Sequence, residues 1–163
     1  MKQEEWLAHY IESAFAGVTL GDGIDIYAAQ SADDYGNAAE DELSLTAERL
    51  DWRRVPANVL FPRFWAVTFL DASGFRFYAP AIMTAVLLQP DDPNDGCLLS
   101  WFLLNLSTSR DGIIKGVEFN TLFTPRQRAA LIRFLKHLVH NCGHGADSDA
   151  ARRLRDIQTR SGA

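Results

Sequence analysis

Cationic side chains are almost missing from the first 48 residues, where Lys2 stands alone against eleven acids. These are Glu4, Glu5, Glu12, Asp22, Asp25, Asp33, Asp34, Glu40, Asp41, Glu42 and Glu48, a balance of −10. Phosphate backbones are held by Lys and Arg, so this part of the chain is no nucleic-acid arm. From Arg49 onward fifteen Lys or Arg face ten Asp or Glu, and the net charge of −5 hides an acidic first third and a basic remainder. The two regions either pack together and compensate or leave a polar molecule.

Cysteine is scarce as well. Cys97 and Cys142 lie far apart and share no metal-ligand spacing, which points to two reduced thiols rather than a disulfide framework. No apolar run approaches the ~20 residues that span a bilayer. Met1-Lys2-Gln3-Glu4-Glu5 carries acids where a signal peptide carries positive charge, so the expectation is a cytoplasmic protein without a membrane partner. A Gly-x-Ser-x-Gly elbow, a kinase set and a dinucleotide fingerprint are all absent, and no cofactor is expected. Gly17, Gly21 and Gly23 imitate a phosphate loop, but no apolar strand precedes them, no Lys-Ser or Lys-Thr follows, and Asp22 and Asp25 repel phosphate.

What the chain does have is apolar material, 47% of 163 residues, enough for one core and a single domain over 1–163. Its most legible stretch is Phe64 to Pro80. Asp71-Ala72-Ser73-Gly74 has the composition of a type I turn, and alternation around Phe75, Arg76, Phe77 and Tyr78 reads as the second strand of a hairpin. Pro80 then suits the first turn of a helix through Leu88 that has no polar face and should be buried, ended by Gln89-Pro90. The fold class is therefore α+β: mainly helical, packed around a small antiparallel β-hairpin or sheet.

Helices are expected from Lys2 to Ala16, over Ile24 to Gln30, and from Ala38 to about Leu50, the last capped by Asn37 with Leu43, Ala47 and Leu50 as its apolar stripe. A short turn of helix begins at Pro56 and stops at Pro62. Cys97 to Leu106 is nearly all apolar and could be a buried strand or a buried helix; its Leu content leans to helix. Ser107 to Gly112 is a loop, and Val117 to Phe123 alternates as a strand that joins the hairpin. Thr124-Pro125-Arg126-Gln127 is a capping box with Pro at the first helical position, and Leu131, Phe134, Leu135 and Leu138 follow as a core stripe. Residues 145–163 make a tail helix, from Asp147 to about Gln158, burying Leu154 and Ile157 with Arg152, Arg153 and Arg155 outside.

Phe69-Leu70-Asp71-x-x-Gly74-Phe75-Arg76-Phe77-Tyr78-x-Pro80-Ala81 and Leu122-Phe123-Thr124-Pro125-x-Gln127-Arg128 carry a resemblance. With Ala14 to Val18 and Asp51-Trp52-x-x-Val55-Pro56, they make the chain resemble an uncharacterised family of small bacterial proteins, a domain of unknown function. The resemblance spans most of the chain and implies no activity, substrate or catalytic residue.

Three constellations are candidates for chemistry. His137, His140, Cys142 and His144 form a His-x-x-His-x-Cys-Gly-His run whose ligand types suit zinc, although imidazolium near a helix C-terminus beside Arg133 and Lys136 needs no metal. Arg76, Tyr78 and Glu118 converge if the hairpin and the third strand pair, which offers an anion clamp in an enzyme of unknown reaction class; the structural alternative is a stacked Arg76 paired to an acid such as Glu118 or one of the N-terminal carboxylates. Asp33, Asp34, Glu40, Asp41 and Glu42 form an acidic surface without calcium-loop spacing. The function expected is a non-catalytic, cytosolic protein-binding role toward a basic partner, in the manner of an immunity protein or antitoxin; the alternative is the small enzyme.

Overall fold

The computed structural model describes residues 1–89, 91–108, 111–145 and 148–161. Helix α1 (Gln3–Ala14) starts where the Lys2 backbone N–H donates to the Glu5 carboxylate (2.9 Å), and it buries Leu7, Ala8, Ile11 and Ala14. Gly17, with φ of 78°, turns the chain out of it. Helix α2 (Ile26–Asp33) is capped by Asp25 and α3 (Ala38–Ser44) by Asn37, each side chain accepting two backbone N–H groups of its helix. Two 3-10 helices, Trp52–Arg54 and Phe61–Phe69, flank the single turn α4 (Ala57–Leu60). Pro62 sits in the opening turn of the second 3-10 helix rather than ending helical structure, since its missing N–H is an orphan there anyway.

The centre of the molecule is α5 (Ala72–Leu88), which corrects the hairpin expected at Phe64 to Tyr78. Asp71 is its N-cap: the carboxylate accepts from the Gly74 N–H (2.7 Å), the bond by which an Asp also opens a type I turn. The two signals coincide because the first turn of a helix has type I geometry. Phe75, Phe77, Tyr78, Ile82 and Met83 are all buried, so the helix is covered almost all round and needs no apolar stripe. Pro80 lies inside α5 and not at its start, where it removes the N–H that would meet the Arg76 carbonyl.

Helices α1, α4 and α6 (Cys97–Asn105) and the first 3-10 helix pack on α5, and the second 3-10 helix bridges α2 and α6. The apolar run from Cys97 is thus helical. The sheet is small and elsewhere: β1 (Ile113–Ile114) pairs antiparallel with β2 (Val117–Glu118) through Lys115 and Gly116, whose φ values of 51° and 78° belong to a tight hairpin turn. The strand expected over Val117 to Phe123 stops after two residues, because Glu118 caps the short helix α7 (Phe119–Leu122). The capping box at Thr124 forms as read, and α8 (Pro125–Asn141) buries Leu131, Phe134, Leu135 and Leu138. Helix α9 (Asp149–Ser161) lies on α8 and α6, burying Leu154 and Ile157.

Aromatic rings join these layers into one core. Phe75 meets Phe102 and Phe123, while Phe15 meets Phe123 and Phe102 meets Phe134. Further corrections concern edges. α3 ends at Ser44 and buries nothing, with Leu43 and Leu50 exposed, because polar ties replace the expected stripe. Arg153 is not outside: its Nε donates to the Leu103 carbonyl at 2.9 Å. Pro90, Ser109, Arg110 and Asp147, to which parts of the loop and tail-helix expectations apply, lie outside the described residues.

Candidate functional site

The acidic first third is partly neutralised by the segment that follows it. Asp25 pairs with Arg49, Glu12 with Arg53, Glu48 with Arg54 and Glu40 with Arg63. Asp25 is fully buried and fully used, accepting from Tyr27 and Ala28 N–H, from Ser44 Oγ (2.7 Å) and from Arg49 Nη2 (3.1 Å). The Glu40–Arg63 contact is bidentate at 2.8 and 2.9 Å, and Arg63 also lies over the Tyr27 ring. Half-buried Asp51 is held below the usual carboxylate range, chiefly by the Arg53 side chain, and Glu48 by the Leu50 and Asp51 backbone N–H groups.

Of the five acids expected to form a surface, Glu40 is consumed in that ion pair, and Asp34 accepts from Gln30 and Asn37 side chains. Asp41 and Glu42 stand exposed on α3, with Asp33 half-exposed at the end of α2.

A larger concave feature has formed where the start of α1, the ends of α5 and α8, and the beginnings of α6 and α9 meet. It is a groove of about 1160 Å³ with a floor of Val86, Leu87, Leu99, Leu103 and Leu138. Its lining also carries Glu4 and Glu5 from α1, Asp91, Asp92 and Asp95 from the loop before α6, and Asp149 from α9. Lys2 is the only lysine or arginine along it among the described residues. The aspartate loop is anchored rather than loose: Asp92 accepts from the Asn94 N–H (2.7 Å), and the Asn94 side chain donates to the Phe61 carbonyl (2.9 Å). Asp149 is paired with Arg152 at 3.1 Å, whereas Glu4, Glu5, Asp91, Asp92 and Asp95 meet no Lys or Arg side chain among the described residues.

His137 borders this groove and is buried, not on the polar face with Arg133 and Lys136 as expected. The Asn141 side-chain amide stands 3.2 Å from His137 Nδ1 and 2.7 Å from Gln3 Oε1. The other ring nitrogen, Nε2, lies 3.8 Å from Glu4 Oε1. Cys142 and His144 also reach the groove while His140 is exposed. Partial burial, with Glu4 nearby, pushes the Cys142 thiol up, away from thiolate. Among the described residues no three His, Cys, Asp or Glu side chains come together as metal ligands.

The third constellation is dispersed by α5. Arg76 and Tyr78 are two residues apart on a helix, about 200° around its axis, so they leave on different sides. The Tyr78 hydroxyl accepts from the Ile26 N–H (3.1 Å) and fixes the start of α2; burial pushes its ionisation up. Glu118 is exposed and accepts from Thr121 Oγ1 (2.7 Å) and Asn120 N–H, which hold it below the usual range, so it is not Arg76's partner. Arg76 is half-buried, with its Nε enclosed and unpartnered. None of the three lines the groove or the smaller pocket between α1, α5 and Trp52.

The groove could not be read from the sequence because its acids come from three distant segments, at Glu4 and Glu5, Asp91 to Asp95, and Asp149. Only the acids themselves were visible, Glu4 and Glu5 within the acidic first third.

The molecule is thus a mainly helical α+β domain with a groove lined by acids and apolar side chains. Residues 2–156 match a family of unknown function, DUF6714, and the chain belongs to that family. No curated protein and no solved structure matches it. Among the described residues no helix is long and apolar enough to cross a membrane.

Proposed function

We propose that this protein is a non-catalytic binding domain of the cytosol that presents an acidic surface to a basic protein partner. The carrying observation is the charge left after folding. Of the eleven acids in the first 48 residues, four meet a guanidinium from the following segment, and Glu4, Glu5, Asp22, Asp33, Asp34, Asp41 and Glu42 have no Lys or Arg against them among the described residues. Such a surface steers cationic partners and turns nucleic acid away. A cover for a basic toxin, as an immunity protein or antitoxin provides, is one concrete form of this role.

The test is capture of partners from native extract at low and high salt. Wild type is compared with a chain neutralised at both acidic regions, E5Q/D33N/D41N/E42Q/D91N/D95N, which leaves the Glu40–Arg63 pair intact. A partner held at low salt, released at high salt and lost from the variant supports the role. Equal recovery by both chains overturns it.

A further inference from the structure

Among the acids, those around the groove differ from those on α2 and α3 in surrounding an apolar floor, and this difference specifies a ligand. We infer that the groove is a docking seat for an amphipathic basic helix of a partner protein, a deepening that rests on the reading of the domain as a binder of basic partners.

Charge complementarity comes first. Glu4, Glu5, Asp91, Asp92 and Asp95 stand around the floor with only Lys2 opposing them, so an occupant needs Lys or Arg along both of its flanks. A ligand that were merely cationic would leave Val86, Leu99, Leu103 and Leu138 wet; one that places an apolar stripe between basic edges satisfies floor and rim together.

The walls decide the conformation of that occupant. They are helix ends and one anchored loop, and the described strands, β1 and β2, do not line the groove, so no sheet edge is offered for strand addition. Among the described lining residues Phe61 is the only Phe, Tyr or Trp, which leaves no aromatic ladder for a proline-rich segment. A helix remains, seated by residues at i, i+3, i+4 and i+7. Its size agrees: a cylinder about 10 Å across and two turns long displaces about 850 Å³, against the groove's 1160 Å³.

Stiffness favours the seat as well. The Asp91 to Asp95 lip is tied to Phe61 through Asn94, and the His137–Asn141–Gln3 contacts join the end of α8 to the start of α1, so the rim charges are held in place before binding.

The experiment uses the full chain and two synthetic peptides of about 14 residues, both made only of leucine and lysine in equal number and blocked at their ends. One is patterned at helical spacing and the other alternates as a strand. Binding is read by fluorescence anisotropy at low and moderate salt for wild type, for the groove variant E5Q/D91N/D95N and for the remote variant D33N/D41N/E42Q, each removing three charges. Circular dichroism checks that both variants are folded.

The expected result is preference for the helical pattern and about a tenfold loss in the groove variant, the sum of three modest ion-pair terms. The remote variant should stay within about twofold of wild type, and salt should weaken binding. Loss in the remote variant with the groove variant unchanged overturns the seat while leaving the acidic-surface reading standing. Salt-insensitive binding that neither variant alters overturns both. Equal binding of the two peptides overturns the helical occupant.

Discussion

Gly74 is the position where a single methyl group should do most damage to the fold. It is the third residue of α5, and a Cβ built on it falls well inside contact distance of the Ile24 carbonyl oxygen, with Asp71 Oδ1 at 3.0 Å and Leu70 Cδ2 at 3.2 Å. An ordinary carbon-to-oxygen approach is about 3.3 Å, so the connection ahead of α2 has to move away from the helix start by roughly an ångström. That movement stretches two bonds sharing one acceptor: Ile24 N–H to Asp71 Oδ1 at 3.1 Å and Gly74 N–H to the same oxygen at 2.7 Å. Each contributes about 1 kcal/mol, and Leu70 has to repack for up to about another. Alanine's better helix propensity returns at most about 1 kcal/mol. Gly74→Ala is therefore expected to cost about 2 kcal/mol net, a fall in Tm of about 4–8 °C at this chain length.

Thermal and urea unfolding followed by circular dichroism measure the cost. Gly145→Ala, at an open position, serves as the control and should stay within about 0.5 kcal/mol of wild type. Asp71→Ala supplies the second arm: if the damage runs through the shared carboxylate, the double variant loses less than the two single losses added. A Gly74→Ala protein as stable as wild type refutes the close-approach reasoning, and full additivity refutes the role given to Asp71.

The alkaline limb of stability should be set by Lys115 and Tyr78. Lys115 Nζ donates to the Val67 and Thr68 carbonyls, and burial pushes its pKa down from 10.5 to about 8. Between these values the unfolded chain binds more protons than the folded one, so stability rises with pH from about 8 to 10.5. Tyr78 has the opposite sign: its folded pKa is raised above 10.0, so stability falls once the unfolded chain ionises above that pH. Urea midpoints from pH 7 to 11 should show a maximum that loses its rising side in Lys115→Met and its falling side in Tyr78→Phe; unchanged profiles would reject both assignments. For the Glu40–Arg63 pair, with side chains 14% and 15% exposed, a double-mutant cycle to Gln and Met should give a coupling of about 1–2 kcal/mol that 1 M salt does not abolish. Coupling near zero would make this contact an ordinary surface pair.

Local signals were legible wherever a few neighbouring residues decide the outcome. Asn37 and Thr124 cap helices, Gly17 ends one, and Leu131 to Leu138 face the core, because caps and stripes depend on atoms within a turn or two of the chain. The helical majority of the fold followed from such features, while its β part was expected from a hairpin at Phe64 to Tyr78 and stands instead at Ile113 to Glu118. Tertiary structure decided the rest. Asp71-Ala72-Ser73-Gly74 fits a β-turn and a helix start equally, and the choice fell to helix because Phe75, Phe77 and Tyr78 are covered from several sides at once, which a half-buried strand does not require. That choice separated Arg76 from Tyr78 and left the sheet to Ile113 to Glu118. The charge imbalance was plain in the sequence, but which acids meet an arginine and which ring a groove depends on Glu4 and Asp91 being brought together from opposite parts of the chain, a juxtaposition that no local spacing encodes.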